Sequence, residues 1–133
     1  MTAEAMTTEL FYLALSAVLS LVMWVPYILG RIVAWGPIEA VGYPERELPQ
    51  PKWCLRLKAA HYNHVENLAP FAVLVLVVHL AGLNNELTAL GATIFFFARL
   101  VHAVVYALGV PLVRTLAFAA GLVGSLMVAS ALL

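Results

Sequence analysis

Charge is scarce in this sequence. Only 11% of its 133 residues are Asp, Glu, Lys or Arg, against about a quarter in a soluble domain. So few charges cannot cover the surface of a water-soluble protein of this length. With 64% hydrophobic residues and a mean hydropathy of +0.97, the surplus apolar surface calls for lipid. An excess of one sign is also missing, because seven basic residues balance seven acidic ones. No basic stripe can neutralise phosphates, which argues against nucleic acid as a partner. Cysteine occurs once, at Cys54, so no intrachain disulfide can form. No CxxC or Cys/His zinc pattern is present, and no metal is expected. Cys54 reads more simply as a small residue near a membrane interface than as a reactive thiol.

What the chain does have is four long apolar runs, which predict an all-α, four-helix membrane bundle forming one domain over residues 1–133. The first run, about 10–30, carries no charge and is bracketed by Glu9 and Arg31. About 20 apolar residues span the hydrocarbon layer. A signal peptide fits poorly: the amino-terminal stretch carries Glu4 and Glu9 but no Lys or Arg. The other helices are predicted at about 59–83, 86–109 and 112–133. Gly82-Leu83-Asn84-Asn85 forms a turn, and Pro111 breaks the chain between the last two helices. Gly121 and Gly124 in the fourth run would let a neighbouring helix approach closely. Phe95, Phe96 and Phe97 read as packing or lipid-facing side chains.

Residues 31–58 differ in kind. They hold five of the seven Lys and Arg, Glu39, Glu45 and Glu47, and four prolines, and read as a long polar loop. Trp35, Tyr43 and Trp53 suit the headgroup layer. The concentration of Lys and Arg predicts that this loop faces the cytoplasm and that both termini face the other side.

Two groups of polar residues interrupt the apolar pattern. The second run carries Arg56, His61, Asn63, Glu66 and Asn67, spaced so that Arg56, Asn63, Glu66 and Asn67 form one stripe, with His61 and His64 at its flanks. The third carries Arg99, His102 and Tyr106 at intervals of three and four, and Arg114 follows just past Pro111. Arg99 would lie about 10 Å deeper than Tyr106, at 1.5 Å per residue. The simplest reading is that Glu66 and Arg99 neutralise each other, but it leaves Arg114, Asn63, Asn67, His102 and Tyr106 clustered without a reason. One carboxylate, three arginines, two amides and a tyrosine suit a ligand with more acidic groups than amines, such as a small peptide with two carboxylates and one amine.

The stretch Arg56-Leu-Lys-Ala-Ala-His-Tyr-Asn-His-Val-Glu-Asn-Leu-Ala-Pro-Phe71, with Ala98-Arg-Leu-Val-His-Ala-Val-Val-Tyr106 and Arg114-Thr115, resembles the MAPEG family, membrane-associated proteins in eicosanoid and glutathione metabolism. The resemblance covers the chain in length, span count and loop order. It implies a homotrimer that binds glutathione as co-substrate at subunit interfaces near the cytoplasmic face. Asn63 and Glu66 would hold the glutathione backbone, with Glu66 on its amine, and Arg99, His102 and Tyr106 would complete the pocket. Arg114 would sit near the sulfur, and Arg31 would match a further family contact. Arg56, His61 and Asn67 join the binding set by position. The implied activity is a glutathione transferase or peroxidase, with Arg114 and Tyr106 catalytic: a guanidinium beside sulfur favours thiolate, which attacks a lipophilic electrophile delivered from the membrane lipids. The chain departs from the pattern at Ala59 and Tyr62, where basic residues are common, and at Thr115, which replaces a serine of some members.

Three other readings compete. A non-catalytic, lipid-binding or regulatory relative would have little need of both Arg114 and Tyr106. A small multidrug transporter should carry an acidic residue within its first span, and Leu10 to Gly30 has none. A structural subunit of a larger membrane complex stays open on sequence alone.

Overall fold

Apolar runs set between polar ends condense into helices because every backbone N–H and C=O must find its partner inside the segment once water is excluded. The computed structural model describes residues 5–46 and 48–133; Glu4 and Glu47 lie outside the described residues. Among the described residues five α-helices follow one another: α1 (Thr8–Trp35), α2 (Pro37–Val41), α3 (Lys52–Leu80), α4 (Glu86–Leu108) and α5 (Pro111–Ala129), with a closing 3₁₀ turn at Ser130–Leu132. Four of them, α1, α3, α4 and α5 with the 3₁₀ turn, are long and apolar enough to cross a membrane. The all-helical four-span bundle stands as the sequence predicts.

The helix limits need correction. α1 runs five residues past the predicted end, and α3 begins seven residues before the predicted start. The long loop shrinks to about 36–51 and contains the short helix α2. Arg31, Arg56 and Lys58 therefore sit on helices. Composition marks where hydrocarbon ends, whereas the helix continues into the polar layer, where Lys and Arg are good helix formers.

Local chemistry fixes the ends. The Thr7 side chain caps α1, accepting from the Leu10 N–H at 3.2 Å. Asn85 and Thr88 form a reciprocal capping box at the start of α4. Glu9, buried at the start of α1, accepts a hydrogen bond from the Thr88 hydroxyl and so ties the starts of α1 and α4 together. Pro37 and Pro111 stand in the first turns of α2 and α5, where a missing N–H costs nothing.

α4 and α5 pack most closely. A Cβ added at Gly124 would lie 2.6 Å from the Gly91 carbonyl oxygen, and one at Gly91 would meet Gly124 at the same distance. The two backbones are in contact here, as the small residues foretold. α1 packs on α3 and α4, and α3 on α4.

The interior is layered. One apolar cluster joins Phe71, Val75, Val78, Ala92, Phe95 and Val128, with Phe71 and Phe95 stacked at 3.8 Å. A second joins Leu19, Met23, Ala60 and Ala103. Between them in the order along α1, α3 and α4 come Ser16, His64, Arg99 and His102, all buried. Phe95 belongs to the core, whereas Phe97 is half exposed.

A candidate polar site between α3, α4 and α5

A charged side chain near the middle of a span costs about 2.5–3.5 kcal/mol on insertion scales unless it finds partners. Arg99, 1% exposed, finds them on α3. Its Nη2 donates to Asn63 Oδ1 at 2.7 Å, and its Nε points to His64 Nδ1 at 3.4 Å. His64 in turn sets its Nε2 2.9 Å from the Ser16 carbonyl of α1. An Nε2–H donor there leaves Nδ1 as acceptor, which suits the arginine. Asn67 steadies Asn63 from the next turn, donating from Nδ2 to its backbone oxygen at 2.8 Å and standing 3.4 Å from Oδ1. Arg99 Nη1 and His102 Nδ1 are buried without a partner among the described residues.

Toward the ends of these helices nearest the basic loop, a cleft of about 270 Å³ is lined by Asn63, His102, Tyr106, Arg114, Thr115 and Phe118. Arg114 lies over the Tyr106 ring, 4.6 Å from its centroid. His102 meets the same ring edge-on at 5.4 Å. Tyr106 is thus held by an arginine from α5 and an imidazole from its own helix. A second, smaller cleft of about 180 Å³ joins Tyr106 and Arg114 to Arg56.

Arg56 has a structural task as well. Its Nε donates to the Ala107 carbonyl at 3.0 Å, filling an acceptor that the end of α4 leaves open. Gly109 closes α4 in the left-handed region at φ 78°, and a Cβ there would meet the Arg56 guanidinium at 3.3 Å. A cation thus sits on the negative end of the helix.

The structure joins Asn63, Asn67, Arg99, His102, Tyr106, Arg114 and Arg56 into one continuous region. It does not bring in three other residues from the sequence set. His61 is taken by the Tyr27 hydroxyl, 2.8 Å from its Nδ1. Arg31 lies over the Trp35 ring at 5.3 Å and lines a different cleft. Glu66 is exposed on the outer face of α3 and lines neither cleft of this region. The predicted stripe splits because three residues fall short of the 3.6 of a full turn. Asn63 turns inward to Arg99 while Glu66 turns out, and the guanidinium takes an amide partner rather than a carboxylate. His64 and Ser16 were missed as site-builders. The polar-in-apolar signal flagged His64, but its acceptor is a backbone carbonyl, which no side chain announces.

A four-helix membrane protein with a cationic, tyrosine-containing cleft near one membrane face is the class this architecture defines. The chain belongs to the MAPEG family, whose model matches residues 10–133. That membership makes it a membrane protein of glutathione or eicosanoid metabolism in general. No curated protein and no solved structure matches the chain.

Proposed function

We propose that the protein is a glutathione-dependent membrane transferase or peroxidase in which Arg114 and Tyr106 activate the thiol. The observation that carries this reading is the Arg114–Tyr106 stack at 4.6 Å, in a cleft whose other polar linings are Asn63, His102 and Thr115, with no carboxylate to cancel the guanidinium. A free thiol titrates near 8.5, so little is thiolate at neutral pH. A guanidinium within reach of sulfur favours the charged form, and the Tyr106 hydroxyl can donate to it. Thiolate then displaces a leaving group from a lipophilic electrophile, forming the S–C bond. In the peroxidase variant two thiols reduce a hydroperoxide to alcohol and water and leave as a disulfide. Phe118 gives the cleft an apolar wall for the electrophile. Asn63 and Arg56 supply polar grip on the peptide, with Arg99 setting the Asn63 amide.

Assembly into a homotrimer is part of the proposal. Glu66 stands about 21 Å along α3 from Lys52, at 1.5 Å per residue, on a face that also exposes Tyr62, Val65, Val73 and Leu76. A carboxylate facing acyl chains at that depth is costly. A second copy would cover it and bring it toward the ligand's amine. The test is turnover of reconstituted protein with glutathione and either an aryl halide or an organic hydroperoxide. Product formation that follows protein concentration supports the reading, and none with either substrate removes it.

A further inference from the structure

His64 is fully buried beside the candidate thiol cleft and does not line it. We infer that it is a positioning residue: acting through Arg99, it fixes the Asn63 amide so that a donor, not an acceptor, faces the bound peptide. This rests on the reading of the cleft as the site of a thiol peptide.

Each contact in this chain joins a group that only gives to one that only takes. The Ser16 carbonyl on α1 only accepts, so His64 Nε2, 2.9 Å away, carries the ring proton. A guanidinium only donates, so His64 Nδ1, 3.4 Å from Arg99 Nε, presents its lone pair. One neutral tautomer meets both conditions. A ring protonated on both nitrogens would turn an N–H against the arginine. The same rule acts at the other end of Arg99. Its Nη2 donates to Asn63 Oδ1 at 2.7 Å, which holds the amide oxygen toward the interior. Nδ2 is then the group that Asn63 has left to offer the cleft it lines. Asn67 reinforces this sense, because its own Nδ2 stands 3.4 Å from the same oxygen.

The arginine has little room to do otherwise. Its stem runs against α5, where a Cβ on Gly121 would come within 3.2 Å of Arg99 Cδ. His64 is walled in as well, with the Phe95 ring 6.4 Å from its own. Without an acceptor at Nδ1, the Nε of a buried guanidinium would lose its partner, and the fork would turn toward another oxygen. The Asn63 amide would turn with it. The consequence for the cleft is selectivity. Asn63 Nδ2 and the Arg114 guanidinium both donate, so a ligand must bring a carbonyl or carboxylate oxygen to Asn63, and an amine at that place is refused.

The experiment labels the nitrogens of histidine and asparagine isotopically and compares wild type, His64→Asn and His64→Gln in detergent by nuclear magnetic resonance. Asparagine keeps an acceptor at the Nδ1 position but falls short of Ser16. Glutamine reaches Ser16 but sets no acceptor at the Nδ1 position. In wild type the His64 ring, assigned by its absence from both variants, should show a protonated Nε2 and a bare Nδ1. The Asn63 side-chain amide, assigned by its loss in Asn63→Asp, should hold its position in His64→Asn and move or broaden in His64→Gln. Glutathione affinity by calorimetry should follow the amide, staying within about twofold of wild type in His64→Asn and falling about tenfold in His64→Gln, the scale of one hydrogen bond. A His64 ring protonated on Nδ1, or equal effects of the two substitutions on the Asn63 amide, overturns the inference; a merely structural histidine would give those equal effects. Absence of glutathione binding by wild type refutes the thiol-peptide reading instead, while the nitrogen signals still decide the role of His64. A His64→Gln protein that fails to fold leaves the ring tautomer and the Asn63 amide of His64→Asn to decide.

Discussion

Arg99 on α4 donates to the amide oxygen of Asn63 on α3 across 2.7 Å, inside a membrane bundle and away from any carboxylate on the same helix pair. This contact joins the layer that separates two apolar clusters to the cleft that holds Tyr106 and Arg114. A charge-assisted hydrogen bond of this kind contributes about 1.5–3 kcal/mol, and a donor left alone costs a similar amount. Asn63→Leu should therefore lower the stability of the detergent-solubilised protein by about 2 kcal/mol or more, measured as a fall in Tm. Asn63→Asp, which keeps an acceptor and adds a charge toward Arg99, should fall less or not at all. Equal losses in both would detach Asn63 from Arg99.

The α4–α5 crossing leaves no room for a side chain. A Cβ on Gly124 would sit 2.6 Å from the Gly91 carbonyl oxygen and 2.8 Å from the Phe95 nitrogen, and both are backbone atoms that cannot swing away. Gly124→Val should push the helices apart and cost at least about 1–3 kcal/mol, seen as lost monodispersity or lower Tm. Gly82→Ala, at a turn with open space around it, should cost only the strain of its φ of 69°. The reverse ranking would contradict the packing.

The exposed face of α3 predicts contact between copies. With Cys54 replaced by alanine, Val65→Cys or Tyr62→Cys on that face should give disulfide-linked oligomers in membranes, whereas Leu100→Cys on the outer face of α4 should not. Monomers alone from the α3 variants would leave Glu66 facing lipid and remove the assembly.

Much of this was legible in the sequence. Four spans follow from four long apolar runs, because hydrocarbon tolerates little else. Arg99, His102, Tyr106 and Arg114 stood out because polar residues in a span need a reason. The grouping of the first three was visible from intervals of three and four on one helix, with Arg114 just past Pro111. What stayed hidden were partners that leave no mark in composition. Arg56 binds the carbonyl of Ala107, and His64 that of Ser16; any residue supplies a carbonyl. The stripe through Asn63 and Glu66 splits because three residues make less than a full turn, which sends Asn63 inward and Glu66 out. The helix limits slipped for a related reason: Lys52, Arg56 and Lys58 are polar, as loops are, yet they form the first turns of α3.

Arg114 should matter to chemistry more than to binding. Arg114→Ala is expected to lower kcat by about a hundredfold or more, the usual scale for losing one electrostatic donor at a reacting centre. Glutathione affinity should change little, because Asn63 and Arg56 remain. Tyr106→Phe keeps the ring under Arg114 and should show a smaller loss in kcat. A large rise in KM with unchanged kcat for Arg114→Ala would make it a binding residue only.

The most direct measurement is titration of the purified protein with glutathione while following ultraviolet thiolate absorbance at neutral pH. The account predicts a saturable thiolate signal in wild type that is lost in Arg114→Ala although glutathione still binds by calorimetry. Binding without thiolate in wild type, or an undiminished thiolate signal in Arg114→Ala, would contradict it.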